Sequence, residues 1–198
     1  AAKEFLSVIV VDDGSKDGTV LAAEQAGARI FKQIPNQGKG AALRRGLTEA
    51  IQLGFDFAIT LDADGQHDPL EIPKFLNEWK INKQELIIGY RNFAEMPFIR
   101  KLANSGGTRL FSWAMGQPIR DNQSGYRLIG RNLMEILMES DEQGFEFEVE
   151  MIVTCARNRL SLGWVPIKTI YGDEKSHIQP LKHASNFLRV VRQTRKAM

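Results

Sequence analysis

Asp62-Ala63-Asp64-Gly65 closes a short apolar run, Phe57-Ala58-Ile59-Thr60-Leu61, with two carboxylates one residue apart. A run of this kind reads as a buried strand, and open α/β sheets bind their ligands at the carboxyl ends of strands. Two hard oxygen donors side by side suit Mg²⁺ or Mn²⁺, which keep positions open for phosphate oxygens and neutralise a departing diphosphate. Asp62 and Asp64 are therefore the candidate metal ligands, and the chemistry they imply involves a phosphorylated substrate.

A second apolar run, Val8 to Val11, also ends in two aspartates, Asp12 and Asp13, followed by Gly14-Ser15-Lys16-Asp17-Gly18-Thr19. A carboxylate there can accept hydrogen bonds from a ribose or a base. Helix capping accounts for Ser15 and Asp17 but hardly for both Asp12 and Asp13. Asn36-Gln37-Gly38-Lys39-Gly40 opens a helical pattern with two glycines and a lysine, so backbone N–H groups and the Lys39 ammonium can face an anion. It is neither the phosphate-loop motif nor the dinucleotide fingerprint.

The elements that must position these groups alternate. Apolar strand-like runs at Phe5 to Val11, Arg29 to Gln33, Phe57 to Leu61 and Glu85 to Gly89 are separated by helical patterns at Val20 to Ala26, Ala41 to Leu53 and Glu71 to Lys80. This predicts an α/β fold with a mainly parallel sheet flanked by helices. Further on, helices are expected around Asn104 to Met115, Arg131 to Ser140, Glu148 to Leu160 and Leu181 to Lys196, with strands at Arg127 to Gly130 and Trp164 to Ile170. The 198 residues, 43% hydrophobic, fit one domain spanning 1–198. Twenty-six basic against 24 acidic side chains give net +2, which does not call for nucleic acid. One cysteine, Cys155, excludes an internal disulfide, and there is no apolar run of about 18 residues and no signal peptide. A cytoplasmic protein is expected, one that can sit at the inner face of the membrane.

The three motifs, in this order, resemble family 2 glycosyltransferases of the GT-A fold. The likeness continues through Ile88-Gly89-Tyr90-Arg91, Asp121-Asn122-Gln123-Ser124-Gly125-Tyr126-Arg127, Phe145-Glu146-Phe147-Glu148-Val149-Glu150-Met151 and Val165-Pro166-Ile167. These later segments are similar to the polyprenyl-phosphate mannose and glucose synthase branch. The resemblance implies that Asp12 and Asp13 contact the nucleotide, that Asp62 lies near the ribose and diphosphate, and that Asp64 binds the metal. It places Gln66 beside the sugar or acceptor. Arg91 and Arg127 would hold an acceptor phosphate or the donor diphosphate, for which a planar guanidinium is suited. The implied reaction is inverting transfer of a hexose from a UDP- or GDP-sugar to an acceptor such as a polyprenyl phosphate. A hydroxyl acceptor would need a general base, and Asp121, Glu146 and Glu148 are the candidates.

The sequence departs from the family in two places. A strand and helix normally precede the Val-Asp-Asp-Gly-Ser strand, and neither stands between Ala1 and that strand. The expectation is a GT-A-like fold truncated at its N-terminus, with the space between flanking strands closed or filled by another segment or a second copy, hence a homo-oligomer. After Val-Pro-Ile the family's Arg-x-x-Gly-Glu-Ser-Lys is replaced by a stretch in which Lys175, Ser176 and His177 could still serve an anion.

Two further readings stay open. Asp62-Ala63-Asp64-Gly65 imitates the nucleophile motif of haloacid-dehalogenase-like phosphatases, which expect Thr or Val at Gln66 and carry the motif near their beginning. The other is a catalytically silent GT-A remnant that binds a nucleotide or oligomerises. The basic, amphipathic tail at Lys182 to Lys196 either packs its apolar face onto the domain or docks on a membrane surface, and Phe93, Met96, Pro97, Phe98 and Ile99 beside Arg100 and Lys101 form a similar candidate lid, usable by a lipid chain.

Overall fold

The computed structural model describes residues 1–93, 98–139, 146–168, 170 and 180–197. The chain begins with a 3-10 turn at Ala2–Glu4 and enters β1 (Ile9–Asp12), α1 (Thr19–Gln25), β2 (Arg29–Lys32), α2 (Lys39–Gln52) and β3 (Phe57–Thr60). It continues through α3 (Ile72–Asn82), β4 (Leu86–Arg91), α4 (Phe98–Met115), β5 (Arg127–Gly130) and α5 (Arg131–Leu137). It ends in α6 (Glu146–Arg157), β6 (Leu162–Ile167) and α7 (Pro180–Ala197).

The strands form two sheets. β1 and β2 pair in parallel, and a four-stranded sheet runs in the order β3-β5-β4-β6. Within the larger sheet β5 is antiparallel to both β3 and β4, while β4 and β6 are parallel. The α/β, GT-A-like architecture is as expected, but its pairing is mixed rather than mainly parallel. Strand-helix alternation does not encode strand direction: the long connection through α4 brings β5 back between β3 and β4 from the opposite end. β1 also starts later than the apolar run suggests, because Phe5 and Leu6 pack against the sheet instead of extending the strand.

Alternation along the strands sorts the core to two faces. Leu86, Ile88 and Ile129 join Leu47, Phe111, Leu133, Phe147 and Ile152 on one side. Ile87 and Leu128 join Ile72, Phe75, Tyr126 and Val165 on the other. α2 bridges the two sheets by packing on β1 and β3. Gly46 allows that approach, since a Cβ there would already lie 3.4 Å from Val11 Cγ2. β4 is closed in more tightly, for a Cβ on Gly89 would fall 2.9 Å from both Ile167 and Phe75. The four-stranded sheet is thus the rigid platform, and the ends of β3, β4 and β5 carry the groups of interest.

Candidate active site

The aspartate turn after β3 is pinned from several sides. Thr60 Oγ1 donates to the Gly125 carbonyl at 2.7 Å, which fastens the end of β3 to the segment entering β5. The Asp62 amide donates to His67 Nδ1 at 3.0 Å, and the Gln66 amide donates to Asp64 Oδ1 at 2.9 Å. Gly65, at φ +79°, supplies the left-handed residue that this tight reversal requires. His67 packs against Tyr126 with tilted rings, centroids 5.2 Å apart, and the Tyr126 hydroxyl donates to the Asp68 carbonyl at 3.2 Å. Burial pushes the His67 pKa below its ordinary value, more strongly than the nearby Asp62 and Asp64 charges raise it. The neutral imidazole accepts at Nδ1 and so carries its proton on Nε2.

Lys39, the first residue of α2, reaches across to this turn. Its Nζ lies 2.8 Å from Asp62 Oδ1 and 3.1 Å from Glu148 Oε1 of α6. Burial alone would lower the Lys39 pKa, but the charges of Glu148 and Asp62 outweigh it and hold the ammonium above its ordinary value. All three charged ends converge on Gly125. A Cβ on that glycine would lie 2.7 Å from Glu148 Oε1, 2.8 Å from Asp62 Oδ2 and 3.2 Å from Lys39 Nζ.

Arg91, at the end of β4, is held in a bidentate pair with Asp121. Its Nε donates to Oδ2 at 2.7 Å and its terminal nitrogen to Oδ1 at 3.0 Å, while the Gln123 amide also donates to Oδ1 at 3.0 Å. Asp121 is fully buried, with both oxygens taken by donors, an arrangement that orients Arg91. Arg127 is also fully buried. Its guanidinium donates to the carbonyls of Ser124, Glu148 and Asn122, which ties the 121–127 segment to α6. In this position Arg127 faces the interior rather than a phosphate, and the anion-holding role that the resemblance gives it does not fit its geometry.

Asp12 and Asp13 stand at the end of β1. Asp13 Oδ1 accepts from Gln33 Nε2 at 3.0 Å and from the Gln37 amide at 2.8 Å, and Oδ2 accepts from the Gly38 amide at 2.8 Å. Asp12, 5% exposed, accepts from the Ser15 amide at 3.2 Å. Both carboxylates thus shape the loops that lead into α1 and α2. Gln66 joins the site through its backbone, its carbonyl accepting from Ile170 N at 3.2 Å. The structure therefore brings Lys39, Asp62, Asp64, Gln66 and Glu148 together, and holds Arg91 with Asp121 at the neighbouring strand end.

The residue pattern alone singles out neither His67 nor Gly125. The signal for His67 was its place five residues after Asp62, across a turn closed at Asp64-Gly65; Gly125 had no local signal, because it matters only where three distant segments meet. Lys175, Ser176, His177 and Met96-Pro97 lie outside the described residues, as does the side chain of Glu146.

A mixed sheet flanked by helices, with paired carboxylates at a strand end beside a lysine-headed helix, agrees with the GT-A fold that the resemblance implies. The model of Glycosyl transferase family 2 matches residues 2–134, and the chain belongs to that family. A UDP-N-acetylglucosamine–dolichyl-phosphate N-acetylglucosaminyltransferase of Methanococcus voltae is 32% identical over 188 residues, 83% of this chain and 75% of that protein. An undecaprenyl-phosphate mannosyltransferase of Micrococcus luteus is 28% identical over 172 residues, 81% of this chain and 70% of that protein. Among solved structures, glucosyl-3-phosphoglycerate synthase from Mycobacterium tuberculosis, with Mn²⁺, UDP-glucose and phosphoglyceric acid, superimposes with a TM-score of 0.68 at 22% identity. That likeness covers 94% of this chain and 66% of the solved one, and it establishes the fold.

Proposed function

We propose that residues 1–198 form a single glycosyltransferase domain that transfers a hexose, with inversion, from a UDP- or GDP-sugar to a polyprenyl phosphate. The observation that carries this reading is the turn after β3, where Asp62 and Asp64 are held by His67 and by the Gln66 amide at the end of a half-buried strand. The donor set fits Mg²⁺ or Mn²⁺. Asp62, Asp64 and Glu148 set three negative charges against the positive charges of Lys39 and of the buried Arg127, which feels Glu148 and Asp62, with His67 neutral, leaving an excess negative charge for a bound cation to meet. Among the described residues no group of three or more His, Cys, Asp or Glu could hold a metal, so Asp62 and Asp64 would share the ion with oxygens of the donor. A bound divalent ion supplies neutralisation of the departing nucleoside diphosphate. Arg91, fixed by Asp121, presents a guanidinium from the adjacent strand end to phosphate oxygens. A phosphate acceptor is already anionic and needs no base, which agrees with an Asp121 fully engaged by donors.

The lipid acceptor is supported by the distribution of charge. α4 and α7 pack against each other and together carry eight of the 26 Lys and Arg but none of the 24 Asp and Glu, so the rest of the chain is net −6. Trp113 and Leu110 of α4 and Leu188 of α7 are exposed, and Arg195 lies over the Trp113 ring at 5.0 Å. The opposite side of α4 touches the Arg91–Asp121 loop, Thr108 Oγ1 donating to Asn122 Oδ1 at 3.0 Å. A basic face with exposed aromatic and aliphatic groups suits peripheral contact with anionic lipid. No helix among the described residues is long and apolar enough to cross a membrane. Replacing Arg192 and Arg195 together by Gln is expected to weaken partition onto anionic vesicles about 30-fold, near 1 kcal/mol for each cation.

Calorimetric titration with UDP-glucose and with GDP-mannose, each with and without Mn²⁺, tests the donor site. Metal-dependent heat that disappears in Asp64→Ala supports the reading and names the donor. No heat from a folded chain would favour a silent binding or oligomerising module instead. One observation favours that second reading: among the described residues β1 pairs with β2 alone and β3 with β5 alone, which leaves each an open edge. The same edges support a homo-oligomer, which sedimentation equilibrium reads directly.

A further inference from the structure

Three segments far apart in sequence meet at one point: the start of α2 with Lys39, the end of β3 with Asp62, and α6 with Glu148. They do so against Gly125, the position where any side chain would collide with all three charged ends. Glu148 is 5% exposed, and the side chains of Lys39 and Asp62 are 24% and 34% exposed. The buried carboxylate therefore anchors the ammonium from the protein side, while Asp62 meets it from the open side. Asp62 Oδ1, an oxygen offered as a metal ligand, already has a cation at 2.8 Å.

We infer that Lys39 is a tethered counter-ion that holds the Asp62 carboxylate until a divalent cation takes its place, with Glu148 retaining the released ammonium beside the site. This deepens the proposed function, on which it rests for the identity of the metal ligands. The exchange is balanced: one ion pair, Lys39 with Asp62, is given up for Asp62 with the metal, and Lys39 keeps its pair with Glu148. The ammonium is then left within a side chain's reach of the metal position, where a donor's diphosphate is the anion it can meet. Lys39 is thus a positioning residue for Asp62 in the metal-free chain.

Mn²⁺ alone is the probe, titrated into the chain while free Mn²⁺ is followed by electron paramagnetic resonance. Lys39→Met is expected to bind Mn²⁺ at least about tenfold more tightly, because a positive charge paired with Asp62 at 2.8 Å is removed from a partly exposed site. Lys39→Arg keeps the charge and is expected to bind as the wild type does. Where Lys39→Met fails to fold around the buried Glu148, Lys39→Met combined with Glu148→Gln removes both charges and is read in its place, against Glu148→Gln alone. Unchanged or weaker Mn²⁺ binding on loss of Lys39 overturns the inference, as does a folded wild-type chain that binds no Mn²⁺. Failure of sugar transfer with the Mn²⁺ series intact would count against the proposed function and leave the exchange standing.

Discussion

At the end of β1, Asp12 accepts from an amide of its own loop and Asp13 from amides of the loop after β2, whereas at the end of β3 Asp62 faces a lysine ammonium and Asp64 bonds one turn amide. The surroundings differ in the same sense. β1 and β3 are each half-buried, but β1 belongs to a two-stranded sheet, while β3 joins a four-stranded one whose β5 is buried throughout and whose β4 is buried from Leu86 to Gly89. Similar motifs, an apolar run ended by aspartates, thus do different work. The first shapes the entry to α1 and α2; the second, backed by a closed core, is the pair we propose to hold a metal.

The comparison breaks most visibly at Arg127. Replacement by Met leaves buried carbonyls of Ser124, Asn122 and Glu148 without their donor, and is expected to cost about 3–5 kcal/mol in urea unfolding. A small loss there would mean that the larger sheet is not the rigid half. Next comes Asp64→Asn, expected to reduce sugar transfer about 10²–10³-fold with little change in the unfolding midpoint. Equal turnover would move the metal-binding role away from this turn.

In the other half the same kind of change is expected to be mild. Asp13→Ala removes the acceptor for the Gln37 and Gly38 amides at the entrance to α2, at about 1–2 kcal/mol of stability. A loss of donor binding beyond what that destabilisation explains would restore a direct nucleotide contact for Asp13.

The smallest effect concerns Cys155, whose thiol burial pushes up to about 12, with the Glu85 charge adding to it. At pH 8 the native thiol stays protonated, and alkylation is expected only on unfolding. Because the folded pKa is raised, the native state holds the proton through the window from the ordinary value of 9.0 to about 12, so this group's contribution to stability is lost as pH rises through that window. Rapid alkylation of native protein at pH 8 would show that the α6 side of the core opens readily.

Much of this molecule was legible in its residues. The order of strands and helices follows apolar runs and helical spacing, and the site motifs follow from carboxylates placed where strands end. Lys39 was readable as a cation at a helix start, but its partners were not, since Asp62 and Glu148 lie 23 and 109 positions away. Asp121 read as a candidate base, and its burial in a bidentate pair with Arg91 is what only the tertiary structure shows. The direction of β5 was similarly hidden, because a strand buried on both faces has the same composition in either orientation.

Local chemistry, namely residue type, period and turn propensity, is written along the chain and by itself determined the elements and the family resemblance. Which charges meet, which are buried, and which oxygens remain for a ligand depend on contacts between segments distant in sequence. The pairing of Arg91 with Asp121, the inward turn of Arg127 and the meeting of Lys39, Asp62 and Glu148 at Gly125 were settled by tertiary structure, because burial sets both the strength of a charge's interactions and the number of partners it can reach.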